Sequence, residues 1–370
     1  MRHYMLTDIK VLDLSRVLAG PVCTMMLGDM GAQVIKIERP GEGDETRGWG
    51  PPFDERGESA YYLSVNRNKL SAAVDLDVAA DRALLDGLLA EADVVVENFR
   101  PGVLGRRGLD AERVRGRYPR LVWCTIAGFA DDAMRPGYDF VVQAESGWMS
   151  ITGEPDGVPI KHGIALVDVM AGKDAAIAVL GALVERGRTG VGRTVTVSLS
   201  GTAEAALVNV AQNTLVSGHP PRRWGNAHAN LVPYQLFDAA DRAVVIAAGS
   251  DGQWLACARA LGLTELAADD ALRTNAGRLA QRERVVSVIA ARMRERTARE
   301  WKAALDTAGV PNGVVRTVRE VLAERPASRE TGMPPSVPGT VRLAPPLLGQ
   351  HTELIRTLLW KAFASDSQTV

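Results

Sequence analysis

Apolar and polar positions recur along this chain with two periods, one near two residues and one near three and a half. Lys10 to Leu14 (KVLDL) predicts a strand, Val22 to Met30 the helix after a turn, and Gln33 to Ile37 (QVIKI) a second strand. A third strand is expected around Ser71 to Leu76, then a helix over Ala80 to Glu91. Val94 to Glu97 (VVVE) and Leu121 to Ile126 (LVWCTI) read as buried strands. The Ala- and Leu-rich run Ala171 to Glu185 is helical, Thr194 to Leu199 (TVTVSL) returns to strand, and Ala203 to Val216 is one further helix. Strands and helices that alternate in this way, with strands apolar on both faces, are the pattern of a parallel α/β sheet covered by helices.

The pattern changes at Gly218 to Asn230 (GHPPRRWGNAHAN), a Pro/Gly/basic stretch that reads as a linker. Val244 to Ala248 is strand-like and mostly helical sequence follows to Arg325. A second boundary falls in the Pro-rich Pro334 to Pro346. Leu347 to Phe363 is amphipathic enough for a helix, and Ala364 to Val370 is polar and expected to fray. The expected organisation is a Rossmann-like large domain over 1–217, a linker over 218–230, a smaller α+β domain over 231–330, and a return segment over 331–370 that completes the large domain.

Composition excludes several classes. The 370 residues are 46% apolar and 24% charged, as in ordinary globular proteins. Forty-three basic against 44 acidic residues give a net charge of −1, which provides no general pull toward nucleic acid or anionic lipid. An anion must therefore be caught by a local cluster. Cys23, Cys124 and Cys257 are too far apart for any metal-ligand spacing, and sparse thiols fit a reducing compartment. The start, MRHYMLTDIKVLDLS, has no unbroken apolar core of a signal peptide, and no run approaches the ~18 apolar residues of a membrane helix. A cytoplasmic protein is expected.

Among candidate chemistry, the opening strand–turn–helix–strand resembles a dinucleotide unit, but its turn SRVLAGP holds one glycine followed by proline instead of GxGxxG, which argues against NAD. Gly20 then serves a packing turn, or a helix start with Arg16 and Arg39 nearby holds a phosphate. Asp168, in GIALVDVMAGKDAA, is either a helix cap or a carboxylate kept ionised by amides and helix dipole and able to attack a carbonyl. Gly249-Ser250-Asp251-Gly252 is either a plain turn or a mobile loop over a reactive intermediate. GxSxG is absent. The five histidines (His3, His162, His219, His228, His351) show no HxxxH or HExxH pairing, so no metal is expected. Arg222 to Asn226 has only Trp224 as an aromatic, a poor basis for nucleic-acid stacking.

Taken together, KVLDLSRVLAGP, GAQVIKIERPGEGD (Gly31 to Asp44), NRNKLSAAVDL (Asn66 to Leu76), ADVVVENFRPGVL (Ala92 to Leu104), GYDFVVQAESG (Gly137 to Gly147), the Asp168 helix, GNAHANLVPYQLF (Gly225 to Phe237) and PPLLGQHT (Pro345 to Thr352) resemble class III CoA-transferases of the CaiB/BaiF type. That family includes formyl-CoA and carnitine CoA-transferases and, as a side branch, α-methylacyl-CoA racemases. No single motif is long; their order and spacing carry the resemblance. It implies two ring-like subunits interlocked as a homodimer, with coenzyme A, as acyl-CoA co-substrate, in the first turn's site. By motif position, Leu18, Ala19, Arg39, Val74, Asp75, Leu76, Asp77, Asn98, Phe99, Arg100, Arg106, Gly137, Tyr138 and Asp139 would line the CoA channel. Guanidinium forks suit its phosphates.

The resemblance places the family's nucleophilic aspartate at Asp168, acylated by an acyl-CoA and then converted to an aspartyl-CoA thioester. Gly249 and Gly252 would belong to the loop covering it. A racemase requires a histidine where Tyr138 stands, and a phenol of reference pKa ~10 is a poor base at neutral pH. A binding protein that kept the fold without turnover is the other alternative. RVLAGP with PYQLF resembles members acting on small dicarboxylates with succinyl-CoA as donor, and Arg16, with Lys161 or His162, is the candidate partner of a distal carboxylate. Two departures stand out: GFADDAMRPGYD lacks the Gly-Pro common before GYD, and Asp241-Arg242 replaces the usual Asp-Gly, read as a hairpin variant.

Overall fold

The computed structural model describes residues 4–365; His3 and the tail beyond Ser365 lie outside the described residues. Its contacts divide the chain into two units. The first takes residues up to Trp148, Lys161–Ser217 and the segment from Arg325 onward; the second takes Met149–Ile160 and Gly218–Glu324.

In the first unit, six strands form one sheet: β1 (Lys10–Asp13), β2 (Gln33–Glu38), β3 (Lys69–Ala73), β4 (Val94–Glu97), β5 (Val122–Ala127) and β6 (Thr194–Ser198). Every pairing is parallel and the order is β3-β2-β1-β4-β5-β6. Successive residues send their side chains to opposite faces. Val11, Val34, Val94, Val96, Val122, Cys124 and Ile126 thus pack on one side against helices α1 (Ala19–Asp29) and the long Leu166–Thr189. Leu12, Ile35, Ile37, Leu70, Val95 and Trp123 pack on the other against α2 (Ala79–Glu91). The chain end returns to that second face, where Ile355 and Trp360 are buried. Each fully buried aliphatic side chain contributes about 1.5–3 kcal/mol.

The chain passes from β5 through α3 (Asp139–Glu145) to the long helix α4 (Leu166–Thr189). The buried face of α4 is small: Ala171, Gly172, Ala175, Ala176 and Ala182. A Cβ on Gly172 would stand 2.6 Å from the Ala19 carbonyl, so glycine there allows α4 to lie directly on the start of α1.

The second unit holds a three-stranded antiparallel sheet, β7 (Tyr234–Asp238), β8 (Ala243–Ala247) and β9 (Asn312–Val314), in the order β7-β8-β9. Around it lie helices α5 (Asp251–Ala260), α6 (Arg282–Met293) and α7 (Ala298–Thr307), with Phe237, Val244, Ile246, Trp254, Ile289 and Trp301 in its core.

Several expected elements shift. The third strand starts two residues earlier, at Lys69, because its pairing with β2 begins at Val34↔Lys69. Ala203 to Val216, expected as one helix, is two, Leu199–Ala205 and Val208–Ser217, broken where Val208 takes φ +30°. β7 and β9 had no strong alternation to announce them. The Asp241-Arg242 turn joins β7 to β8, and it does more than turn the chain. Asp241 accepts from the Ala298 amide (2.7 Å) at the start of α7, while Arg242 pairs with Glu320 (2.9 Å).

Candidate functional site

β1 ends in a carboxylate. Asp13, fully buried, accepts from the Ser15 amide (2.9 Å) and hydroxyl (2.5 Å), from Thr24 (2.7 Å) and from Lys69 (2.9 Å). Burial works against its charge, but Lys69 and Lys36 overcome that and hold its carboxyl well below the usual range. Lys36, also fully buried, donates to the Ser15 carbonyl (2.8 Å) and pairs with Asp44 (3.0 Å). Asp44 in turn accepts from the amide of Val17 (3.2 Å), a β-branched residue held at φ +68°. On the far side, Asn98 grips the backbone of Arg16 twice, accepting from its amide (2.9 Å) and donating to its carbonyl (2.8 Å). The turn from Ser15 to Leu18 is therefore fixed by buried charges and by the strand beside it. Gly20 serves packing: a Cβ there would fall 2.2 Å from that of Ser15.

The order of the sheet reverses between β1 and β4, and ligands of such sheets bind outside the carboxyl ends at that reversal. Two clefts lie there, of about 600 and 530 Å³, continuous through Arg16, Phe99, Arg100 and Leu104. The first is lined by Arg39 and by Val74, Asp75, Leu76 and Asp77 after β3. The second takes Leu18 and Ala19 at the start of α1, Asn98 after β4, Gly137 and Tyr138 before α3, and Asp168.

Four expected residues stand elsewhere. Arg106 lines neither cleft; its neighbour Arg107 lines the first and is held by Asp77 at 3.0–3.1 Å. Both lie in a 3₁₀ turn, Gly105–Arg107, whose three-residue period aims adjacent side chains about 120° apart. Lys161 and His162 also line neither cleft: Lys161 donates to the His162 carbonyl (3.1 Å), and His162 sets its ring edge-on to Trp148. Asp139 is the fourth, buried and in the lining of neither cleft.

Asp139 explains the state of Asp168. Asp168 is the third residue of α4, and Ala165 at the cap position supplies no side-chain acceptor. Asp139 takes that role from α3: its Oδ1 accepts from the amides of Val167 (2.8 Å) and Asp168 (3.3 Å). Its other oxygen accepts from Gln143 (2.6 Å), which accepts from the His162 amide (2.9 Å). Asp168 is therefore not the cap. The amides expected to keep it ionised are occupied by another carboxylate, so its carboxyl is pushed up to about 7, first by burial and then by the Asp139 charge. Helix start and dipole are outweighed. Tyr61, which nothing in the spacing of SAYYLS marks out, feels the same charges: burial, then Asp168 and Asp139, raise its phenol to about 12.

The loop before α3 is built on contact between two glycines. A Cβ on Gly128 would lie 2.6 Å from the Gly137 Cα, so the two backbones touch where the chain enters and leaves the loop. Between them Arg135 stacks on Phe129 (4.0 Å) and pairs with Glu145. In the second unit, Gly249 donates its amide to Gln253 (2.9 Å) and Ser250 caps α5, with Gly252 in its first turn.

Among the described residues no helix is long and apolar enough to cross a membrane, and no cluster of three potential metal ligands occurs. All three cysteines are buried, and burial pushes the Cys124 and Cys257 thiols up to about 12.

A parallel sheet in this order, with two clefts at its reversal point that both carry arginines and a carboxylate of raised pKa lining the second, has the architecture of an α/β enzyme. The chain belongs to CoA-transferase family III, whose pattern matches residues 6–352, and it is a transferase. It is 40% identical to succinyl-CoA:glutarate CoA-transferase of Mus musculus, over 95% of this chain and 85% of that one. It is 41% identical to succinate–glutarate CoA-transferase of Agrobacterium fabrum, over 86% and 82%. The crystal structure of a CaiB/BaiF family protein from Brucella suis superposes with a TM-score of 0.85 at 38% identity, over 96% of this chain and 99% of that one.

Proposed function

We propose that this protein moves coenzyme A from succinyl-CoA to a second small dicarboxylic acid, glutarate foremost, with Asp168 as nucleophile. The observation that carries the reading is one carboxylate of raised pKa, facing the cleft and backed by a second carboxylate that holds its helix start. The names of the relatives at 40–41% identity supply the substrate class.

Asp168 Oδ attacks the thioester carbonyl; an O–C bond forms, the C–S bond breaks, and CoA leaves as thiolate. The thiolate then attacks Asp168 Cγ. An S–C bond forms, and succinate departs with the original Asp168 oxygen. The acceptor carboxylate attacks the aspartyl-CoA thioester at Cγ and expels the thiolate, which attacks the acceptor's carbonyl in the mixed anhydride and frees Asp168. A carboxylate whose pKa lies near neutrality is a stronger nucleophile than one near 4, and remains substantially ionised at physiological pH. The first cleft, with Arg39, Arg100 and Arg107, suits the adenosine phosphates. The second suits the pantetheine arm and thioester, and Arg16 at the junction suits a distal carboxylate. The first unit serves as the large domain and the second as the small one. Two chains form an interlocked homodimer in the cytoplasm; apolar residues open to solvent such as Leu215 and Val216 support association with a second surface.

Incubation with succinyl-CoA and a panel of acids should yield new acyl-CoAs, glutaryl-CoA first. Hydroxylamine added during turnover should convert Asp168 to its hydroxamate. An Asp168→Ala enzyme with wild-type turnover would overturn the assignment.

A further inference from the structure

The basic stretch Arg222 to Asn226 has no part in the chemistry above. In the second unit it forms a cluster with the start of α6. The guanidinium of Arg222 lies 3.9 Å from the centre of the Trp224 ring, and that of Arg282 lies 4.8 Å from it. Two cations thus share one indole. Neither forms an ion pair among the described residues. The Glu154 carboxylate is close to Gly225, where a Cβ would stand 2.9 Å from its Oε2, yet it pairs with neither arginine.

Arg282 is anchored on one side only. Its Nη2 donates to the carbonyls of His228 (3.0 Å) and Ala229 (2.8 Å), so the fork is held against the loop before β7. Its Nη1 is buried and has no hydrogen-bond partner among the described residues. A buried guanidinium nitrogen without an acceptor is rare in folded proteins, because the lost hydration is not replaced. Burial, and then the Arg222 charge, lower the affinity of Arg282 for its proton. His228 packs on Tyr234 (5.1 Å) and accepts from the Asn230 amide at Nδ1 (2.9 Å).

A guanidinium fixed through one nitrogen with another to spare, a second like charge and no acid paired with either make an arrangement that an anion completes. We propose that Arg222, Trp224 and Arg282 form an oxyanion-binding site for a carboxylate or phosphate group, recognised by the unpaired Nη1 of Arg282 and by the Arg222 charge. Under the function proposed above two molecules carry such groups, the dicarboxylic substrate through its free carboxylate and coenzyme A through its phosphates; the site itself does not depend on that reading. Charge-assisted N–H···O bonds from a guanidinium serve both.

The test is calorimetric titration of the full-length protein with succinate, glutarate, inorganic phosphate and CoA in turn, beside Arg222→Gln and Arg282→Lys. Arg222 is exposed and its side chain donates no hydrogen bond among the described residues, so Arg222→Gln should melt at the wild-type temperature. It should still weaken binding of the recognised anion about fivefold. Arg282→Lys keeps the charge and loses the anchored Nη1 donor, and should weaken it about tenfold or more. Weaker succinate or glutarate binding in the variants assigns the site to the dicarboxylate; weaker phosphate or CoA binding assigns it to the coenzyme. Unchanged affinity for all four probes in the Arg222→Gln protein overturns the proposal, as does a wild-type protein that binds none of them. The readout is binding heat and not turnover, so a failed transferase assay leaves this result standing.

Discussion

Replacing Asp168 by asparagine should make the protein more stable at alkaline pH and less so, relative to wild type, at acid pH. In the folded chain the Asp168 carboxyl titrates near about 7, against 3.8 for the ordinary group, because burial and the Asp139 charge oppose its ionisation. The sign follows from proton linkage. A raised folded pKa means that the folded state holds the proton more tightly than the unfolded one. The associated stability is complete below the unfolded pKa and is lost as pH rises to the folded pKa. Each unit of separation is worth about 1.4 kcal/mol. Between about pH 5 and pH 8 the wild-type protein should therefore lose about 2–3 kcal/mol through this one group, and Asp168→Asn should not. Asn keeps size and shape, and Asp139 still caps the helix, so the comparison of two pH values cancels any fixed packing cost. Thermal melts of both proteins near each pH should show the variant gaining on wild type by on the order of 5 °C across that interval. A constant difference between the two melting temperatures at both pH values would refute the placement of Asp168 as a carboxylate with little compensation, and with it the physical basis for its nucleophilicity.

Other consequences can be measured with simple variants. Asp139→Asn retains an acceptor for the Val167 amide but removes the like charge, so the acidic limb of the transferase pH–rate profile should move to lower pH; an unmoved limb would mean that Asp139 does not act on Asp168. Asp44→Ala leaves Lys36 buried without its partner and frees the Val17 amide, and should cost about 3–5 kcal/mol in urea unfolding; a cost under about 1 kcal/mol would show that the turn is held by other means. Gly128→Ala drives a methyl into the Gly137 backbone at 2.6 Å, and should cost about 1–3 kcal/mol and lower kcat/KM through displacement of Tyr138; wild-type kinetics and stability together would show that the loop can yield.

Much of the first unit was legible from residue order. Runs such as VVVE and QVIKI, short, β-branched and with consecutive apolar residues, read as strands covered on both sides, and their alternation with helices implies a parallel sheet. The family was legible too, through many short motifs in one order, and with it the candidates around the cleft. What these could not give was the direction of neighbouring side chains. Arg106 and Arg107 are equivalent as letters, yet a tight turn sends only the second into the cleft. Asp139 reads as a cleft residue in GYD, yet folding turns it inward to hold the start of another helix. Asp168 lines the second cleft, but its charge state was not local: the sequence suggested a helix start that favours ionisation, and the fold spent those amides on a different carboxylate.

By itself, then, the chain's order of apolar and polar residues determined the layered α/β architecture and the residue types gathered at its open edge, because backbone period and burial act over a few neighbours at a time. The tertiary structure alone decided which carboxylate caps and which one faces the cleft, because pKa and hydrogen-bond partner depend on groups that the fold brings together from 29 positions away, as it does Asp139 and the amide of Asp168.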